Sequence, residues 1–237
     1  MRLSKRILRP TAMMAACGLS GGSLSASMAT HPFTTVCMGA EHPKMNVIFL
    51  QGITTKRHPF DHDAPPNPDE PDYHTLLDRV GKETGVRFVM PYSNRLCKGS
   101  TNSYCWGTGD FDSVAEVYDA IRKSAASCFS FNQPWGLMGF SNGGYHVGRI
   151  ISQGHLPAPK WAIAVGSAGV VKPFELPEIS RHTPFYLHIG MEDITREDAW
   201  RFYTELKAER FNVHYGEYAG GHELHEDTLL AMMRHVL

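Results

Sequence analysis

The sequence has no apolar run long enough to cross a bilayer, almost no net charge and no internal repeat. Each absence removes a class of protein. A spanning helix needs about 20 mostly apolar residues, and the one apolar stretch near the amino terminus, 11–24, is shorter and rich in Gly and Ser. No stable membrane span is therefore expected. The formal net charge is −1, so no basic surface for nucleic acid or anionic lipid is expected either. Metal and nucleotide signatures are also missing. His58, Asp61, His62 and Asp63 crowd one Pro-rich stretch, but their H-x-x-D-H-D spacing fits no defined metal site. A solvated acidic lid is the expectation there, with a metal site as its alternative. Gly107-x-Gly109 lacks the rest of a nucleotide fingerprint. Neither a metal nor a cofactor is expected.

What is present begins with a leader. Arg2, Lys5, Arg6 and Arg9 precede the weakly apolar stretch, and Ser25-Ala26-Ser27-Met28-Ala29 closes it with small residues. Basic head, apolar middle and small-residue end read as an export signal, 1–29, cleaved after Ala29. The alternatives are a disordered cytosolic leader and lipid attachment at Cys17. A secreted or periplasmic location is expected. The remaining chain, 30–237, has 208 residues with 19 basic against 24 acidic side chains, enough for one packed domain. It keeps Cys37, Cys97, Cys105 and Cys128. An even number in an exported chain suggests two disulfides in one of three connectivities, with unpaired buried thiols as the alternative. Cys97 and Cys105 enclose a short Gly/Ser/Asn segment and are the favoured pair, leaving Cys37 for Cys128.

Apolar runs at 46–50, 86–90, 135–140, 161–165, 185–189 and 211–215 read as strands. Most are continuous, as in parallel strands covered on both faces. Helical patterns fall between them near 73–83, 112–126, 143–153, 196–209 and 224–236. Val114, Val117, Tyr118 and Ile121, for example, recur on one helix face, and Ser113 with Glu116 resembles a capping box. Such alternation predicts an α/β domain with a doubly wound, mostly parallel sheet and helices on both faces. Two long loops, 54–71 with five prolines and 91–111, follow strands and should share the rim where ligands bind. No segment is long enough for a large cap domain, so an open or loop-covered site is expected.

Gly139-Phe140-Ser141-Asn142-Gly143 matches G-x-S-x-G between an apolar strand and a helix. A sharp strand-to-helix turn of this kind lifts a serine hydroxyl from the sheet and needs small flanking residues. A serine hydroxyl is a poor nucleophile without a base in hydrogen-bond reach. Asp193 follows the 185–189 strand, and His222 lies in Gly220-Gly221-His222-Glu223 before the last helix. The order Ser141, Asp193, His222, each after a strand, predicts a nucleophile, acid and base on one rim. Glu192 is the rival acid and His225 the rival base. His188 and His214 read as packing residues.

The chain resembles the α/β-hydrolase superfamily from about Asn46 to Leu237. Tyr104-Cys105-Trp106 and Gly139-Phe140-Ser141-Asn142-Gly143-Gly144 are similar to the secreted branch of feruloyl esterases and polyhydroxybutyrate depolymerases. The resemblance implies a carboxylic ester hydrolase with an acyl-serine intermediate, acting on a small-molecule or polymeric ester. It implies oxyanion donors at the backbone of Asn142 and, after Gln51-Gly52, at Ile53 or Thr54; Gln51 stands where the family usually has His. Gln51, Trp106, Phe60 and Tyr145 are candidate substrate contacts, with core packing as the alternative for the aromatic residues. Acyl transfer to an alcohol and a catalytically silent binding protein are the other readings of the same residues. Nothing in the sequence sets the oligomeric state.

Overall fold

The computed structural model describes residues 33–55, 72–106, 112–155, 157–169 and 181–237. The expected leader 1–29 with Cys17, the lid residues His58 to Asp63 and the Gly107-x-Gly109 pair lie outside them, as does the Ser113 side chain. The strands are β1 (Thr34–Gly39), β2 (Met45–Leu50), β3 (Val86–Tyr92), β4 (Trp135–Phe140), β5 (Ala162–Val165), β6 (Phe185–Gly190) and β7 (Val213–Tyr218). The helices among the described residues are α1 (Tyr73–Thr84), α2 (Asp112–Ala125), α3 (Asn142–Ser152), α4 (Arg196–Ala208) and α5 (Glu226–Val236).

The sheet runs β1-β3-β2-β4-β5-β6-β7, parallel throughout except where β1 pairs antiparallel with β3. The chain passes from β2 to β3 on one side and returns to β4 on the other. The crevice at this reversal, between the carboxyl ends of β2 and β4, is where such sheets bind ligands. Alternate side chains explain the two layers. Ile48, Leu50, Leu137, Leu187 and Ile189 face α2, α3 and α4, while Val47, Phe49, Met138 and Ile163 face α1 and α5. Every residue of β2 and β4 is buried, as continuous apolar runs require.

Two differences from the sequence expectation have plain causes. β1 has no apolar run because it is an edge strand on which only Met38 is buried. β7 starts two residues later than the 211–215 pattern and extends through Gly216 and Glu217, since Gly216 pairs with His188 and a Cβ there would meet the His188 ring at 2.8 Å. Both favoured disulfides form. Cys37 of β1 joins Cys128 beyond α2 with Cα atoms 5.8 Å apart, and Cys97 joins Cys105 at 5.3 Å. No helix among the described residues is long and apolar enough to cross a membrane.

Buried His146 and half-buried His188 tie this packing to pH. His146 of α3 has no hydrogen-bond partner among the described residues on either ring nitrogen, and burial holds its imidazole down to about 3. Burial, with His235 nearby, pushes His188 down to about 4. Both are neutral in the fold, whereas an unfolded histidine protonates near 6.5. Below that pH the unfolded chain binds more protons, so stability falls as pH falls from about 6.5 towards 4, by up to ~1.4 kcal/mol per pH unit and histidine. Urea midpoints measured at pH 7, 5.5 and 4.5 should drop accordingly, and His146→Leu should reduce the slope. An identical slope in that variant would show that His146 carries none of the effect.

Candidate active site

Ser141 sits between β4 and α3 with φ 51° and ψ −120°, a left-handed conformation that costs a non-glycine residue of order 1–3 kcal/mol. Close packing around the turn holds it there. A Cβ on Gly143 would run into the Leu50 carbonyl, and one on Gly139 into the Gly143 backbone. The Ser141 N–H donates to the Val165 carbonyl at 2.9 Å, and Tyr145 N–H donates to the Ser141 carbonyl at 2.9 Å. Strand and helix thus meet with nothing between them, and the hydroxyl is turned away from the sheet.

The structure brings all three expected residues together. His222 Nε2 lies 2.9 Å from Ser141 Oγ, and His222 Nδ1 lies 2.8 Å from Asp193 Oδ2. The Asp193 side chain is wholly buried, the His222 side chain partly exposed. The loops carrying them are bonded to each other: Met191 N–H donates to the Tyr218 carbonyl and Glu192 N–H to the Gly220 carbonyl, both at 2.9 Å. The Phe140 ring lies 5.2 Å from that of His222. Glu192 points to solvent, and His225 pairs with Glu223 at 2.9 Å. Neither rival is bonded to Ser141.

Thr195 is a contributor that the sequence reading missed. Its N–H and its hydroxyl both donate to Asp193 Oδ1, each at 2.8 Å, leaving Oδ2 to His222. The signal was local, a hydroxyl two residues beyond an aspartate. Tyr145 stands near it, close enough to Thr195, Asp193 and the Ala168 backbone to feel their electrostatic influence. Burial raises the Tyr145 pKa above its ordinary value, so the phenol stays protonated. Tyr145 also lines a cavity of about 420 Å³ with Arg149, Arg201 and Asp198.

Trp106 and Gln51, expected as substrate contacts, are instead buried at 0% and 2% exposure, so neither offers surface to a ligand. The reason is a clamp. The Trp106 indole N–H donates to the Gln51 carbonyl at 2.8 Å, and the Trp106 backbone N–H donates to Asn142 Oδ1 at 2.8 Å. One residue therefore holds the segment after β2 against the segment after β4. The described ends of the two long loops meet as well: Thr54 and Tyr104 exchange backbone hydrogen bonds of 3.2 and 2.7 Å. That commits the Thr54 N–H and leaves Ile53 as the candidate donor beside Gly52, whose Cβ would lie 3.2 Å from Ser141 Cβ. The Asn142 N–H is in the first turn of α3, where helix N–H groups lack intrahelical partners.

Trp106→Phe would keep the ring but leave the buried Gln51 carbonyl unpaired, a cost of about 1–3 kcal/mol in stability. Freed of the clamp, the Gly52-Ile53 backbone should shift against Ser141, and turnover of an ester substrate should fall on the order of 10–10²-fold with KM little changed. Steady-state kinetics and a urea melt on the variant check both effects.

No family model matches the chain, and no curated protein is similar to it in sequence. Solved structures are similar in fold, and they define its class: the chain has the α/β-hydrolase fold. Esterase PE8 superposes with a TM-score of 0.60 at 19% identity, over 87% of this chain and 100% of that one. The acyl-protein thioesterase 2 of Zea mays gives 0.64 at 14%, over 86% and 97%. A phospholipase/carboxylesterase from Dyadobacter fermentans gives 0.54 at 17%, over 88% and 98%.

Proposed function

We propose that this chain is a serine hydrolase that cleaves carboxylic esters through an acyl-Ser141 intermediate. The observation that carries the reading is the continuous bonded series Asp193–His222–Ser141, at 2.8 and 2.9 Å, ending on a serine with positive φ. With Nδ1–H donated to Asp193 Oδ2, His222 Nε2 has its lone pair towards Ser141 and takes the hydroxyl proton as Oγ attacks the ester carbonyl. The negative oxygen of the tetrahedral intermediate is received by the backbone N–H groups of Asn142 and Ile53. The C–O bond to the alcohol then breaks, and His222 returns the proton to the leaving oxygen. Water, deprotonated by His222, releases the acid and restores Ser141. An esterase, a thioesterase and a phospholipase/carboxylesterase of the same fold support acyl chemistry of this type. The finer likeness to feruloyl esterases and polyhydroxybutyrate depolymerases rests on the Tyr104–Trp106 and Gly139–Gly144 segments alone.

Pre-steady-state hydrolysis of p-nitrophenyl esters tests the intermediate. A burst of p-nitrophenol, equal in amount to enzyme, is expected. Absence of any turnover across a chain-length series of these esters would remove the proposal. The leader and the two disulfides support export, with 30–237 as the mature domain. Sequencing the amino terminus of the exported protein should read from Thr30, whereas a mature end at Cys17 would mean lipid attachment.

A further inference from the structure

The outer side of α4 and β7 holds a second cavity that the Ser141 chemistry does not use. Trp200 is 52% exposed, whereas Trp106, Trp135 and Trp161 are buried. Its ring meets Tyr215 of β7 edge-on, with centroids 5.1 Å apart and planes at 82°, and lies 5.3 Å from Tyr203. The two tyrosine rings are 5.5 Å apart, so the indole is braced on both sides yet keeps half its surface in water. Beside it Arg196 and Glu217 form a two-bond fork, Nε to Oε1 at 2.8 Å and Nη2 to Oε2 at 3.2 Å. The Tyr215 hydroxyl donates to the same Oε1 at 3.1 Å. Arg196, Glu197, Trp200, Tyr215 and Glu217 line an open cavity of about 390 Å³, within the size range of small-molecule sites.

The chemistry of this lining selects its occupant. Arg196 and Glu217 neutralise each other, so an ionic ligand would have to displace one of them. Only two of the five guanidinium N–H donors are used in the fork, and carboxylate oxygens accept more than one bond. The walls therefore offer a mostly apolar, aromatic surface with donors and acceptors at its edge. A hydrocarbon chain would cover the indole but make no use of the remaining donors and acceptors of the fork. A neutral molecule with hydroxyls around its edge and a C–H face for the indole satisfies all of them. We propose that this cavity is a saccharide-binding subsite, in which one pyranose ring stacks on Trp200 and bonds through its hydroxyls to Arg196, Glu197 and Glu217. A braced indole loses little freedom on binding, which favours such a contact.

Trp200 is the exposed tryptophan among four, so intrinsic fluorescence reports on this site. The full chain is titrated with xylohexaose, cellohexaose and chitohexaose, which carry no carboxylic ester that Ser141 could attack. A saturable change in emission with at least one of them is expected. Trp200→Ala should abolish the change and weaken binding at least 10-fold by calorimetry, while Trp200→Phe should retain part of the affinity and Ser141→Ala all of it. Circular dichroism of both Trp200 variants verifies folding. No saturable response to any of the three sugars overturns the proposal, as does unchanged affinity in folded Trp200→Ala. A response to phosphatidylcholine vesicles without one to the sugars overturns it too. Binding retained in Ser141→Ala separates this outcome from that of the hydrolase reading.

Discussion

Replacing Ser141 by alanine is expected to lower kcat for a p-nitrophenyl ester by about 10⁶-fold while leaving the fold intact, the scale seen when a serine nucleophile is removed. The substitution deletes one oxygen, 2.9 Å from His222 Nε2, and keeps the Cβ that already packs beside Gly52. Among the described residues, no hydroxyl stands ready to take its place. The buried Ser167 hydroxyl lies against Gly144 and has no hydrogen-bond partner among the described residues. The activity that remains should be the part owed to backbone donors and substrate positioning, about 10³–10⁴ over water. An unchanged melting temperature should accompany the loss, and a loss of less than tenfold would assign the chemistry to another group.

Asp193→Asn should cost about 10⁴-fold in kcat, on the scale of other Ser-His-Asp enzymes, and the surroundings of the carboxylate explain why a near-isosteric change is so damaging. Thr195 gives two donors to Oδ1. An asparagine at this position keeps its oxygen facing Thr195 and so turns its NH₂ towards His222. An imidazole that accepts at Nδ1 must carry its proton on Nε2, where the base has to be unprotonated to receive the Ser141 proton. Charge support for the imidazolium is lost as well. Glu192→Gln, by contrast, changes an exposed side chain and should leave kcat within a few-fold. If Glu192→Gln proves the more damaging of the two, the acid is misassigned.

Local sequence carried most of the architecture and the chemistry because both are written in short patterns. Strands β2, β4 and β5 are buried on both faces, and only continuous apolar runs can satisfy that burial. Ser141 follows such a run in β4, Asp193 follows β6 and His222 follows the edge strand β7, so their convergence on one rim follows from parallel strands. β1 lacked this signature because an edge strand in antiparallel pairing buries only part of itself. Trp106 was legible as an aromatic residue near the site but not as a clamp. Its partners Gln51 and Asn142 lie 55 and 36 residues away, and no local pattern encodes bonds over that distance. The burial of the Gln51 carboxamide, which has no partner among the described residues, was equally hidden, since nothing local marks that side chain as turned inward. Tyr145 lay within reach of the motif, yet its place near Thr195 brings together α3 and the start of α4, which only the fold does.

The most direct measurement is the mass of the intact protein after exposure to a fluorophosphonate, followed by peptide mapping. Wild type should gain a single label, on the peptide containing Ser141, and Ser141→Ala should gain none. Folded wild-type protein that stays unlabelled, or a label found on any other residue, would contradict the assignment of Ser141 as the nucleophile.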